Sequence, residues 1–226
     1  GNYTPNPAYL DSVDESTEGD KTVVTYDIND DATFNDGTPI DWTAFENTWR
    51  FNNGKNTDVQ VNSTDGYELI ESVEKGENDK EAVVTFEGPY PWWQGLFNDI
   101  LHPAIDTAEK FDQEYLGKLN PQYGAGPFKV DNADFRGGTV SFVPNEKWWG
   151  DEPKLDKVSY RVMESQATIN AFQAGEIDAA VAVAASGVSS AASRLSSSSI
   201  MALPPYLTTT ILSFKAVSHG SASAST

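Results

Sequence analysis

Between Tyr123 and Asp178, glycine, proline and tryptophan punctuate short apolar runs so closely that few chain paths are compatible with them. In Gly124-Ala125-Gly126-Pro127 two residues lack a β-carbon and the last has a restricted φ, which predicts a glycine-hinged entry into a strand over residues 128–131. Arg136-Gly137-Gly138 supplies a turn, and Thr139-Val140-Ser141-Phe142-Val143 alternates as the partner strand. Asn145-Glu146-Lys147-Trp148-Trp149-Gly150-Asp151 follows as a loop with two adjacent indoles. Such rings could wall a cleft, but they more commonly pack inward, so they are assigned to the domain core. Residues 158–163, a helix over 166–174 with Ile169 and Phe172 inward, and residues 177–183 predict a β-α-β unit with parallel strands and a right-handed crossover.

Earlier in the chain, residues 1–10 are polar and rich in turn formers, a loose lead-in. Residues 21–28 place Val24, Tyr26 and Ile28 on one side with polar residues between them, the period of a half-buried strand. Asn35-Asp36-Gly37 marks a turn, and Asp41 after Pro39 can accept hydrogen bonds from the free N–H groups of a helix start. Trp42, Phe45 and Trp49 then recur at i, i+3 and i+7, giving that helix an aromatic inner face. Residues 52–66 read as a surface loop, and 70–73 with 82–86 as a hairpin. After Pro89-Tyr90-Pro91, a helix is expected to carry Trp92, Trp93, Leu96, Phe97 and Ile100 on one stripe, followed by a second over 107–116.

Composition excludes several classes of function. The chain has 226 residues, enough for one large or two small domains. Its 34 acidic against 15 basic residues give a net charge of −19, which disfavours nucleic acid and anionic membranes, because phosphate binding depends on Lys and Arg. The same charge serves solubility or attracts cationic ligands. Cysteine is absent, which removes disulfides, thiolate metal sites and a cysteine nucleophile. No apolar run approaches the ~18 residues of a membrane span, and no signal segment opens the sequence.

Sites with chemistry are few. Asp27, Asn29 and Asp31 mimic the start of a calcium loop, but Ala32 replaces the glycine and Thr38 the bidentate glutamate, so a solvated turn is expected. His102 and His219 are far apart and in no metal-ligand spacing; His102 is expected to be structural, at a helix end. Neither a G-x-S-x-G elbow nor a phosphate-binding glycine loop occurs, and Pro127 cannot donate an N–H to phosphate. Asn2 and Asn62 fit the glycosylation pattern, to which no role is attached. From Ala179 to Ser199 alanine and serine dominate, residues 204–214 read as a strand, and 218–226 as a frayed end.

Four elements, Gly124-Ala125-Gly126-Pro127-Phe128-Lys129, Asn145 to Gly150, Lys154-Leu155-Asp156-Lys157-Val158 and Gly175-Glu176-Ile177-Asp178, occur in one order at close spacing, with Asp36-Gly37-Thr38-Pro39 upstream. This pattern resembles the family 5 extracellular solute-binding proteins, the oligopeptide- and dipeptide-binding receptors of ABC importers. The resemblance implies an α/β, periplasmic-binding-protein-like fold of type II, present in part: an accessory α+β domain over residues 1–119 and part of the first ligand-binding lobe over 120–226, without the second lobe. It implies a monomeric, non-enzymatic receptor, extracellular and membrane-anchored or periplasmic in its full-length form. Its partners would be a peptide or other small solute and a membrane permease, with no nucleic acid and no cofactor. Oligosaccharide, dipeptide and chelated metal remain alternative ligands, and a hydrolase is a remote alternative with no supporting constellation. Tyr206 and Thr208, on a strand that crosses between lobes in the family, are the candidate ligand contacts. The resemblance further implies that the start of the full-length protein lies upstream of Gly1 and that this chain alone binds peptide feebly.

Overall fold

The computed structural model describes residues 3–61, 63–114, 118–180 and 211–218. The chain divides into two compact units, the first Gly1–Pro127 with Asn145–Glu152, the second Phe128–Pro144 with Pro153–Thr226.

In unit 1, β1 (Leu10–Glu18), β2 (Lys21–Ile28), β3 (Ile70–Lys75) and β4 (Glu81–Phe86) form an antiparallel sheet in the order β1-β2-β4-β3. The period-two pattern of β2 holds: Val24, Tyr26 and Ile28 are buried, with Val24 opposite Val84 and Tyr26 opposite Ala82. Asp41 caps helix α1 (Trp42–Asn52), its carboxylate accepting from Thr43 N at 2.9 Å. Phe45 on α1 lies 5.1 Å from the Tyr26 ring, and Trp42 and Trp49 pack half-buried against the same core. Helix α2 (Ala108–Gln113) starts at Thr107, whose hydroxyl accepts from Lys110 N; it covers the described part of the second expected helix.

In unit 1 one strand is not foreseen and one expected helix is corrected. The lead-in ends at Leu10 in a nine-residue strand that pairs with β2 along its length. Leu-Asp-Ser-Val-Asp-Glu-Ser-Thr-Glu shows no apolar alternation because β1 is an edge strand whose last five residues are exposed. The helix expected from Trp92 to Ile100 is a single 3₁₀ turn, Trp93–Gly95, and Phe97 has φ 55°. Trp93, Leu96 and Phe97 still reach the core through this irregular path, whereas Trp92 is 74% exposed. Gly95 and the prolines at 89 and 91 favour that path over a helix.

Unit 2 holds β5 (Phe128–Asp134), β6 (Thr139–Pro144), β7 (Leu155–Met163), α3 (Ser165–Gln173), β8 (Ala179–Ala180) and β9 (Ile211–Ser218), with sheet order β5-β6-β7-β9-β8. At the β5–β6 turn Gly138 takes φ 63°, and Asp134 Oδ1 accepts from the N–H groups of Arg136 and Gly137 at 3.0 and 2.8 Å. The β-α-β expectation is met in part. β7 and β8 run parallel, since each is antiparallel to β9, but β9 lies between them. On α3 the expected inner residues are outside: Ile169 and Phe172 are 40% and 41% exposed, while Thr168 and Ala171 are buried. The helix packs against β8 and β9, and its smaller side chains permit that approach. Described strand β9 overlaps the end of the strand expected over 204–214 and continues to Ser218. The Ala/Ser-rich stretch from 181 onward, residues 204–210, His219 and the rest of the tail lie outside the described residues.

Candidate functional site

Three of the sequence motifs meet inside unit 1, where backbone groups with no place in a sheet need partners. The turn around Asn35 lies against residues 121–124: Asn35 N donates to Gly124 O at 2.8 Å, Asp36 N to Gln122 O at 3.2 Å, and Asn35 Nδ2 to Pro121 O at 2.6 Å. Asn145, 5% exposed, closes the arrangement. Its Nδ2 donates to Asn35 Oδ1 and to Gly126 O, each at 2.8 Å, its Oδ1 accepts from Lys147 N, and its N–H donates to Pro127 O at 2.9 Å. One amide thus joins the 36–39 motif, the 123–127 motif and the tryptophan loop.

Both indoles are half-buried, short of the expected enclosure in the core. Trp149 packs against the core and donates from Nε1 to Ala8 O at 2.6 Å. Tyr9 lies 5.6 Å from Trp148 and 5.5 Å from Trp149, and its hydroxyl donates to Ala125 O at 3.1 Å. Burial pushes the Tyr9 hydroxyl up to about 12, so it remains a donor at any physiological pH. The reason for Gly124 is corrected here. Its φ is −80°, within reach of any residue, but an added β-carbon would come within 3.2 Å of Asn35 Nδ2. Close approach to a side chain, and not a special dihedral, is what favours glycine there.

His102 is buried but sits in a turn, not at a helix end, because the preceding helix is absent. Its ring lies between Phe34 at 4.5 Å and Tyr123 at 4.7 Å. Nδ1 accepts from Ala104 N at 3.0 Å, which puts the ring proton on Nε2, and Nε2 lies 3.2 Å from Asp36 Oδ2 without the alignment of a good hydrogen bond. Burial raises the Asp36 carboxyl, but the Thr38 N–H and hydroxyl together with His102 outweigh it, so the group is held below its ordinary value. A depressed folded-state value stabilises at pH above the unfolded value of about 3.9 and is lost as pH falls through the lower folded one. Asp36→Asn is therefore expected to flatten the acid limb of a stability–pH curve measured by urea denaturation; an unchanged acid limb would remove this role.

The candidate ligand contacts Tyr206 and Thr208 lie outside the described residues, as do Asn2 and Asn62. Asp27 and Ile28 end strand β2, and the turn begins only after them, with Asp31 N donating to Asn29 Oδ1 at 2.9 Å. Among the described residues no group of three or more His, Asp or Glu side chains could hold a metal ion, and no helix is long and apolar enough to cross a membrane. Sequence reasoning missed the pairing of Asn35 with Asn145. The signal was present only as two asparagines inside or beside recognised motifs.

The pattern of the bacterial extracellular solute-binding proteins, family 5 Middle, matches residues 4–216. The chain is 37% identical over 183 residues to the oligopeptide-binding protein OppA of Mycobacterium tuberculosis, covering 79% of this chain and 30% of that protein. It is 35% identical over 158 residues to a probable monoacyl phosphatidylinositol tetramannoside-binding protein, LpqW, of the same species, covering 69% and 24%. Among solved structures, the periplasmic EDTA-binding protein EppA superposes with a TM-score of 0.69 at 31% identity over 76% of this chain and 33% of that one. The oligopeptide-binding protein AppA of Bacillus subtilis, solved with a nonapeptide, shares the fold, with a TM-score of 0.62 at 21% identity over 74% and 33%. The chain spans a quarter to a third of the length of these proteins, and its mixed α/β fold is part of a periplasmic-binding-protein-like fold. By motif, sequence and fold together, the chain belongs to the family 5 bacterial extracellular solute-binding proteins.

Proposed function

We propose that this chain is part of an extracytoplasmic receptor that captures peptides between two lobes and delivers them to an ABC permease in the membrane. In this reading residues 1–119 belong to the accessory domain and 120–226 to the first ligand-binding lobe, with Tyr206 and Thr208 facing the ligand. The observation that carries it is the 37% identity to OppA, a protein named for oligopeptide binding. Separation of the chain into two compact units supports a two-domain assignment, with the unit boundary at Pro127 and residues Asn145–Glu152 returning to unit 1. In such a receptor the peptide backbone pairs with strand edges and roomy pockets accept varied side chains, while contacts made to both lobes drive hinge closure.

Native mass spectrometry of the intact receptor, purified without added ligand, tests the reading. A ladder of co-purifying masses spaced by amino-acid residues is the expected result. A chelated metal would instead favour the reading that the 31% identity to the EDTA-binding EppA supports, and a sugar or glycolipid the one suggested by LpqW. The chain alone is expected to give no calorimetric signal with a mixed pool of short peptides at micromolar concentration. Micromolar or tighter binding would overturn the assignment of ligand contacts to a cleft that needs a further lobe.

A further inference from the structure

The net charge of −19 is not spread over the fold. Unit 1 carries 28 acidic and 8 basic residues, whereas unit 2 carries 6 and 7. Seven of the eight cations of unit 1 are also locally engaged. Lys21 pairs with Glu71, Lys75 with Asp79, Lys110 with Asp106 and Lys118 with Glu114. Lys80 donates to the carbonyls of Asn29 and Ala32, Arg50 donates to Asn47 Oδ1, and Lys55 lies over the Trp49 ring. The acidic excess is therefore left to act on the surroundings. Asp27 registers it: burial and then the neighbouring Asp11, Glu81, Asp30 and Asp14 carboxylates raise its pKa, and Asp27 and Glu81 sit opposite each other across β2 and β4.

We propose that unit 1 is an electrostatic collector that selects the charge class of the ligand, favouring cationic peptides and rejecting anionic ones. This rests on the peptide-receptor reading and adds the substrate class to it. Solubility alone would be served by an excess spread over both units. Concentrated in one unit, the excess gives the chain a directional field that acts on a ligand before contact, which accelerates association of opposite charge by about 10- to 1,000-fold in steered systems. The field reaches roughly 30 Å at about 0.01 M salt and about 8 Å at 0.15 M, so the selection is a property of association rate and is strongest in dilute surroundings. It also counts against a net-anionic metal chelate as cargo, because the field would slow its arrival.

Stopped-flow association of the intact receptor with three probe peptides of one length, alternating alanine with lysine, glutamine or glutamate, tests this. At about 0.01 M salt the lysine peptide is expected to associate at least about tenfold faster than the glutamate peptide, with the glutamine peptide between them. At about 0.5 M salt the three rates should converge, because the screening length falls to a few ångströms. The variant Asp14→Asn/Glu15→Gln/Glu18→Gln/Glu74→Gln removes exposed charge from β1 and β3. It should slow the lysine peptide several-fold and leave the glutamine peptide unchanged. Equal rates for lysine and glutamine peptides at low salt, or a variant that slows both alike, would overturn the collector while leaving a peptide receptor intact. Binding of none of the three would overturn the peptide reading and the collector with it.

Discussion

Asn145→Ala is expected to lower the unfolding free energy of unit 1 by about 3 kcal/mol, since a buried polar group left without its partner costs about 1–3 kcal/mol. The substitution strips Asn35 Oδ1 and Gly126 O of their donor and Lys147 N of its acceptor in one step. For a unit of this size the melting temperature should fall by about 10 °C. Urea denaturation followed by tryptophan fluorescence reads the loss directly, because Trp148 and Trp149 sit on the same loop. Asn145→Asp is the diagnostic control. It keeps an acceptor for Lys147 N but turns a carboxylate oxygen toward two carbonyl oxygens, so it should be at least as unstable as alanine. Near-native stability in the aspartate variant would refute the bridging role.

The second large effect is expected at Phe34, which is fully enclosed and lies at the start of the turn that Asn145 holds. Its N–H donates to Thr38 O and its carbonyl accepts from Gly37 N, both at 2.8 Å, so the side chain anchors a tight loop as well as filling the core. Phe34→Ala should cost about 3–5 kcal/mol through lost transfer energy and the cavity left beside His102. Phe34→Leu keeps most of the volume and should lose clearly less. Hydrogen exchange separates anchoring from simple filling. If Phe34 anchors the turn, the amides of Asn35 and Asp36, which bond to Gly124 O and Gln122 O, lose protection first. Uniform loss across unit 1 would make Phe34 an ordinary core residue.

Elements were legible where their cause is local. The alternation of β2, the aspartate cap of α1 and the glycine turn between β5 and β6 each follow from residues adjacent in sequence. Strand β1 was illegible because an exposed edge strand needs no apolar face, and its pairing with β2 is what makes it a strand. The run 92–100 misled for the opposite reason: Trp93, Leu96 and Phe97 do reach the core, with Trp92 left outside, along an irregular chain that a helical period cannot describe. On α3, helical spacing identified Ile169 and Phe172, while the packed face is that of Thr168 and Ala171. A period reports that a helix has faces, and the neighbour it packs on selects which one is buried. The candidate ligand contacts at Tyr206 and Thr208 rested on resemblance alone, without a pattern in the residues themselves.

By itself the sequence determined the family, the local elements of the 123–178 stretch and the large acidic excess, because motif, turn chemistry and composition are properties of neighbouring residues or of their sum. Only the tertiary structure decided that the excess belongs to one unit, that β9 separates β7 from β8, and that Asn35 meets Asn145 across 110 residues of chain. The physical reason is common to all three. Which distant segments become neighbours depends on the path of the whole backbone and on the need of each buried polar group for a partner, and neither is written in any local period.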